Sequence, residues 1–233
     1  MPHSKADPDQ QARRAVAAEA LGRLEAGMTV GLGSGRAVWT LIEAIAERWP
    51  EGPPLRAAAA SEQTEAAARR AGIELVEPEA GIELVIDGAD EVDPALDVLK
   101  GGGGALLREK LLVRAAARFV VIAQASKRVE RLGRTRALPV EVVRFGWRTT
   151  QRRLLELVPS AEPRLGVGGE PLATEDGHLL LDCPLPEQGD LAVLGGLIKA
   201  EVGVVEHGLF LDMADTVVLG NPDGSIEVLD RPS

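Results

Sequence analysis

Hydrophobic and polar positions follow two alternating rhythms along the first 132 residues. Residues 10–26 (QQARRAVAAEALGRLEA) carry the helical rhythm, and 27–32 (GMTVGL) form a short apolar run that leads into Gly-Ser-Gly. Between residues 37 and 49, Val38, Leu41, Ile42, Ile45 and Trp49 fall on one helical face. Residues 51–54 (EGPP) break that helix, and 55–60 (LRAAAA) supply the next strand. Ser61 caps and Gly72 closes a further helix over 61–72. Residues 73–78 and 82–88 are strand-like, 104–117 helical, and 118–124 (RFVVIAQ) a strand rich in β-branched side chains. Strands alternating with helices in this way predict a mostly parallel α/β sheet.

After about residue 132 the order changes. Residues 137–143 read as a strand, 147–158 as a helix, and 163–185 as strand, turn and strand with Glu-Asp-Gly as hinge. A second helix over 191–201 and a strand over 203–211 follow. This is the split βαβ order of a small, ferredoxin-like α+β unit. Residues 215–229 close the pattern as a hairpin around Asn-Pro-Asp-Gly. The whole predicts a Rossmann-like, mostly parallel α/β domain, residues 1–132 plus 207–233. A smaller α+β domain, residues 133–206, is inserted before the C-terminal hairpin.

Composition narrows function more than fold. With 45% hydrophobic and 27% charged residues, the 233-residue chain is ordinary for a globular protein. A formal charge of −10 and only 3% aromatic residues, with no tyrosine, argue against a nucleic-acid or anionic-membrane surface. A single cysteine, Cys183, leaves no intrachain disulfide framework and no multi-cysteine metal site. The first residues carry no apolar signal core, and no run approaches the roughly 18 apolar residues of a membrane span. A cytoplasmic protein is the expectation.

Ligands of open α/β sheets sit beyond the carboxyl ends of the strands, and four segments stand at such ends. Residues 33–37 (GSGRA) follow the first strand. Residues 87–90, which are Asp87, Gly88, Ala89 and Asp90, follow the strand over 82–86. Residues 100–109 (KGGGGALLRE) lead into a helix, and 125–127 (ASK) follow the strand over 118–124. If the strands are parallel, all four share one rim.

The backbone N–H groups of the loop holding Ser34, Gly35 and Ala37 suit a phosphate, with the Ser34 hydroxyl and the Arg36 guanidinium as further donors. The same residues also make a tight strand-to-helix turn that binds nothing, and both readings stand. A dinucleotide fingerprint fails because Arg36 occupies the place of its closing glycine. An EF-hand fails at Ala89, which has no side-chain oxygen. Magnesium held by two carboxylates and a solvated acidic turn are the other readings of the acids. Glycines at 101–104 each cost about 0.5–1 kcal/mol relative to alanine in regular structure. The return expected is close approach of Gly101, Gly102 and Gly103 to a ligand, their N–H groups aimed at hydroxyls or an oxyanion. Glu109, about one and a half turns into the following helix, is a general base if its face turns toward that loop. Its neighbours Arg108 and Lys110 are expected to be exposed.

On these motifs the chain resembles the ribose-5-phosphate isomerase family of the A type. The likeness runs over nearly all of the sequence and is most specific in VIDGADEVD, KGGGGALLREK, FVVIAQASK and LPVEVV. It implies interconversion of ribose 5-phosphate and ribulose 5-phosphate with no metal and no organic cofactor. Glu109 would move a proton between C2 and C1 through an enediolate. Asp87 and Asp90 would hold sugar hydroxyls, Asp87 also assisting ring opening. Lys100 with the amides of Gly101, Gly102 and Gly103 would stabilise the oxyanion, and Lys127 would lie at the phosphate or substrate rim. The likeness further implies a homodimer or homotetramer assembled through the smaller domain, with a small-molecule sugar phosphate as partner and neither nucleic acid nor membrane.

One stretch departs from the family. Its phosphate loop usually reads Gly-Thr-Gly-Ser-Thr, where this chain has Gly33-Ser34-Gly35-Arg36-Ala37. Arg36 either pairs with phosphate bidentately or points to solvent, which would leave a weaker phosphate site or a different anionic sugar. A non-catalytic sugar-phosphate sensor is the competing class, and such a sensor has no need of Glu109 beside an oxyanion loop. Cys183, His178, His207, Trp39, Trp49 and Trp147 are read as packing or structural groups, and His3 as part of a tail.

Overall fold

The computed structural model describes residues 7–232, so His3 lies outside the described residues. The helices are α1 Pro8–Gly22, α2 Arg36–Arg48, α3 Glu62–Arg70, α4 Leu106–Ala115, α5 Trp147–Leu154 and α6 Leu191–Ala200. The strands of the first half are β1 Thr29–Leu32, β2 Arg56–Ala59, β3 Glu74–Leu75, β4 Leu84–Asp87, β5 Glu91–Val92, β6 Val98–Leu99 and β7 Phe119–Gln124. Those of the second half are β8 Leu138–Val142, β9 Glu162–Pro163, β10 Leu179–Cys183, β11 Val204–His207, β12 Leu209–Phe210, β13 Thr216–Gly220 and β14 Ile226–Asp230.

The chain forms two compact units. The first takes the residues up to Ala89, Leu111–Arg128 and those from Met213 onward; the second takes Asp90–Lys110 and Val129–Asp212. The seams therefore fall elsewhere than at 132/133 and 206/207, and residues 90–110 belong to the second unit. Helix α4 carries the chain across one seam.

In the first unit a seven-stranded sheet runs in the order β14-β13-β7-β4-β1-β2-β3. All neighbours are parallel except the β13–β14 hairpin. Strands β1 and β4 are buried at every position, as parallel strands covered on both faces must be. Their core residues Val30, Leu32, Leu84 and Ile86 pack with Val120 and Ile122 of β7, Val16 and Ala20 of α1, and the apolar face of α2. Burying Val38, Leu41 and Ile45 stabilises α2 by about 1.5–3 kcal/mol per side chain. That outweighs the missing side-chain cap at Gly35, a device typically worth about 1 kcal/mol.

In the second unit β8-α5-β9-β10-α6-β11 folds as a four-stranded sheet in the order β11-β8-β10-β9, with every neighbour antiparallel. This is the expected split βαβ arrangement. Leu138, Val140 and Val142 of β8 pack with Leu179, Leu181 and Cys183 of β10, Leu154 of α5 and Ile198 of α6. Glu141, between two of those core residues, takes the other side of the strand, as the period of two requires.

A second, three-stranded sheet, β12-β6-β5, was not foreseen. The single strand expected over 203–211 is broken at Gly208, so that β11 pairs with β8 and β12 with β6. A Cβ at Gly208 would lie 2.1 Å from the Lys100 carbonyl oxygen. Its N–H donates to Pro139 O at 2.9 Å and its carbonyl accepts from Lys100 N at 2.9 Å. Along the segment that links β9 to β10, isolated bridges form at Leu165–Pro171 and Ala173–Leu179. Helix α4 starts two residues later than expected because Gly101 and Gly104 take φ of +101° and +87°, values no right-handed helix can use. Among the described residues no helix is long and apolar enough to cross a membrane.

Candidate active site

Strands β7, β4 and β1 are parallel neighbours, so the segments that follow them stand along one rim of the first unit's sheet. These are 125–127, 87–89 and 33–37. The fourth segment of interest, 100–109, belongs to the second unit.

On the rim, Asp87 ends β4 and is fully buried. Its Oδ1 accepts from Ser34 N at 3.1 Å and Gly88 N at 2.7 Å. A Cβ on Gly33 would come within 1.8 Å of the Asp87 Cγ, so the carboxylate sits there only because residue 33 is glycine. From the other side, Thr64 Oγ1 donates to Gly33 O at 2.8 Å and accepts from Trp39 Nε1 at 3.2 Å and Ser61 Oγ at 3.0 Å. The loop is thus held at a carbonyl and an amide before Gly35, at φ +95°, turns it into α2. Arg36, the first residue of α2, is exposed and Ala37 half-buried. Half-buried Lys127 ends the 3₁₀ turn Ala125–Lys127.

The acids of VIDGADEVD turn out to have separate tasks. Asp90 Oδ2 accepts from Gly102 N at 2.7 Å. Buried Glu91 takes the amides of Gly133, Thr135 and Arg136 and the Thr135 hydroxyl, at 2.5, 2.5, 2.9 and 2.6 Å. Asp93 Oδ1 closes a turn by accepting from Ala95 N and Asp97 N at 2.9 and 3.0 Å. Among the described residues, no group of three or more His, Cys, Asp or Glu is arranged to hold a metal ion.

Three consecutive side chains of α4 reach three different partners. Glu109 Oε2 lies 3.3 Å from Lys100 Nζ, and the two residues are only 4% and 3% exposed. Because α4 begins at Leu106, Glu109 stands in its first turn. Arg108, expected to be exposed, is half-buried and pairs with Glu175 at 2.6 Å and Asp176 at 2.7 Å. Lys110, also expected in solvent, is buried. Its ammonium donates to His207 O at 2.7 Å, Leu209 O at 2.9 Å and Glu206 Oε1 at 2.9 Å, and lies 4.7 Å from the Phe210 ring centre. Its flexible stem lets a group beside the surface-facing Leu111 reach these inward acceptors.

The charges around Lys110 shape their neighbours. Burial alone would raise the Glu206 carboxyl, but the Lys110 ammonium overrides it and holds the group down at about 2. Burial, with Lys110 adding to it, pushes His207 down to about 4, so the ring is neutral at pH 7. Its Nδ1 then accepts from Leu209 N at 3.3 Å, and its 3.9 Å approach to Glu206 is no ion pair. Burial raises Glu141, whose Oε1 accepts from Thr174 Oγ1 at 2.9 Å and meets His178 Nδ1 at 3.0 Å. Burial likewise lifts the Cys183 thiol to about 12, which leaves it an inert core group.

Residues 56–224 match the family model of ribose 5-phosphate isomerase A (phosphoriboisomerase A). The chain belongs to the ribose 5-phosphate isomerase A family. Its relative from Roseiflexus castenholzii, named ribose-5-phosphate isomerase A, is 44% identical over 94% of this chain and 96% of its own. The enzyme of that name from Thermomicrobium roseum is 45% identical over 95% and 94%. The solved ribose 5-phosphate isomerase A of Methanocaldococcus jannaschii superposes with a TM-score of 0.89 at 31% identity, covering 95% of this chain and 99% of that one. A D-ribose-5-phosphate isomerase in complex with phospho-erythronic acid gives the same TM-score at 30% identity, with the same coverage of both chains. Membership makes the chain an aldose–ketose isomerase.

Sequence reasoning missed Thr64, Glu91 and Lys110. Thr64 left one trace, its place three residues after the capping Ser61. Glu91 looked like one more acid in a run. Lys110 carried no signal, because its acceptors lie about a hundred residues away in the chain.

Proposed function

We propose that the chain interconverts ribose 5-phosphate and ribulose 5-phosphate through an enediolate, with Glu109 as the base. The observation that carries the reading is the buried 3.3 Å pair of Lys100 and Glu109, close in sequence to a glycine loop. When Glu109 takes the proton next to the substrate carbonyl, its own negative charge disappears and an equal charge grows on the substrate oxygen. Lys100 exchanges one anionic partner for the other, so no net charge is created in the buried site. A base and an oxyanion donor supply about 10²–10⁴-fold and 10²–10³-fold respectively.

In this reading Asp87 and Asp90 hold sugar hydroxyls, and Asp87 assists ring opening. The amides of 35–37, the Ser34 hydroxyl and Lys127 serve the phosphate, since a helix N-terminus with close backbone access favours that anion. The relative bound to phospho-erythronic acid supports the reading, because a carboxylate on a phosphorylated four-carbon chain imitates a planar, anionic enediolate. We also propose self-association through the second unit, where Val193 and Leu197 stand exposed one turn apart on α6. Light scattering should show more than one copy in the native particle, and a monomer for Leu197→Glu.

A coupled assay on ribose 5-phosphate, with and without EDTA, tests the reaction beside a Glu109→Gln control. Turnover that survives EDTA and collapses in the control is expected. Loss of turnover to EDTA would restore the magnesium reading of the acids, and an inactive, well-folded wild type would point to another anionic sugar.

A further inference from the structure

We propose that Arg164 is a positioning residue that locks the peptide planes of the glycine loop and so aims the Gly103 N–H at the developing oxyanion; this rests on the isomerase reading above. Arg164 follows β9 directly. One edge of its guanidinium grips Asp182, Nε to Oδ2 at 3.0 Å and Nη2 to Oδ1 at 2.5 Å. The remaining nitrogen, Nη1, donates to Gly101 O at 2.8 Å and Gly102 O at 3.2 Å.

In a trans peptide the carbonyl of one residue and the N–H of the next point in opposite directions. Holding Gly101 O therefore orients the Gly102 N–H, which donates to Asp90 Oδ2 at 2.7 Å. Holding Gly102 O orients the Gly103 N–H away from Arg164. Among the described residues nothing accepts from that N–H, and Gly103 is exposed. A run of glycines rotates its peptide planes at little cost, so an oxyanion donor built from them needs an outside clamp. Arginine suits this task because its planar fork serves two partners at once, whereas lysine offers a single point charge.

The test compares wild type, Arg164→Met and Arg164→Lys for kcat and KM on ribose 5-phosphate and for affinity toward phospho-erythronate. Loosening one oxyanion donor should lower kcat about 10–100-fold and weaken phospho-erythronate binding in parallel, with KM changed less than about 3-fold. Lysine should not rescue. A purely structural arginine would lower the melting temperature and leave both kinetic constants alone. In the wild type, phospho-erythronate should move the Gly103 amide proton downfield and protect it from exchange; this decides the matter if the variants do not fold. The proposal is overturned if the wild type turns over and either folded variant keeps kcat and affinity, or if the Gly103 amide does not respond. Wild-type inactivity is a separate failure, that of the isomerase reading itself.

Discussion

The first unit offers backbone groups at the ends of parallel strands, while the second offers charged side chains buried against one another. On the first unit's rim a glycine, a threonine and an aspartate fix a loop through its backbone groups. In the second, Lys100, Glu109 and Lys110 are each less than one-tenth exposed and are held by ion pairs and strand carbonyls. A backbone site depends on room for close approach. A buried charged site depends on every charge keeping its partner, because removing one partner costs about 3–5 kcal/mol. The two units should therefore fail differently under mutation.

Lys100→Met should show the largest effect in the second unit. Turnover should fall about 10²–10³-fold, and urea unfolding should show a loss of about 3–5 kcal/mol because Glu109 stays buried without its ammonium. Activity or stability near wild type would mean that the pair is incidental.

Lys110→Met should act on stability and its pH dependence more than on chemistry. Glu206, held near 2 when folded against an ordinary 4.5, contributes stability that is present above 4.5 and lost as pH falls toward 2. His207, held near 4 against an ordinary 6.5, makes the unfolded chain bind more protons between those values, so stability also falls as pH drops from 6.5 to 4. Lys110 causes the first slope and adds to the second, which burial chiefly sets. Urea midpoints of the wild type should decline on the acid side, and those of the variant, lower at pH 7, should decline less steeply. Parallel curves would contradict this account.

Gly33→Ala probes the first unit by the opposite route, adding a methyl 1.8 Å from Asp87 Cγ and removing no charged group. A cost of about 1–3 kcal/mol is expected from overpacking, with KM for the phosphorylated substrate raised as the amide loop shifts. Arg36→Ala should be the mildest: its side chain is exposed, and an exposed charge contributes about 0.2–1 kcal/mol, at most a few-fold in KM. A large rise would give Arg36 the bidentate phosphate role.

The same contrast explains what the sequence revealed. Segments 33–37, 87–89 and 125–127 were legible because parallel strands bring the segments beyond their carboxyl ends to one edge, a rule of topology that needs no knowledge of partners. The split βαβ order was legible from the succession of strands and helices alone. The burial of Lys110, the clamp of Arg164 on the glycine loop and the break at Gly208 were not. Each depends on atoms roughly 60 to 110 residues away, and local periodicity carries no record of them. The acids of residues 87–93 were visible as a cluster; Asp93 closes a local turn, but the tasks of Asp87, Asp90 and Glu91 as loop support, glycine-loop acceptor and structural knot were set by tertiary contacts.

That one carboxylate moves the proton can be read from isomerisation in heavy water, following turnover and deuterium entry at the carbon that receives the proton. The wild type should incorporate solvent deuterium, and Glu109→Gln should lose turnover and incorporation together, by about 10²–10⁴-fold. A folded Glu109→Gln chain that isomerises and exchanges within about 3-fold of the wild type would show that Glu109 is not the base.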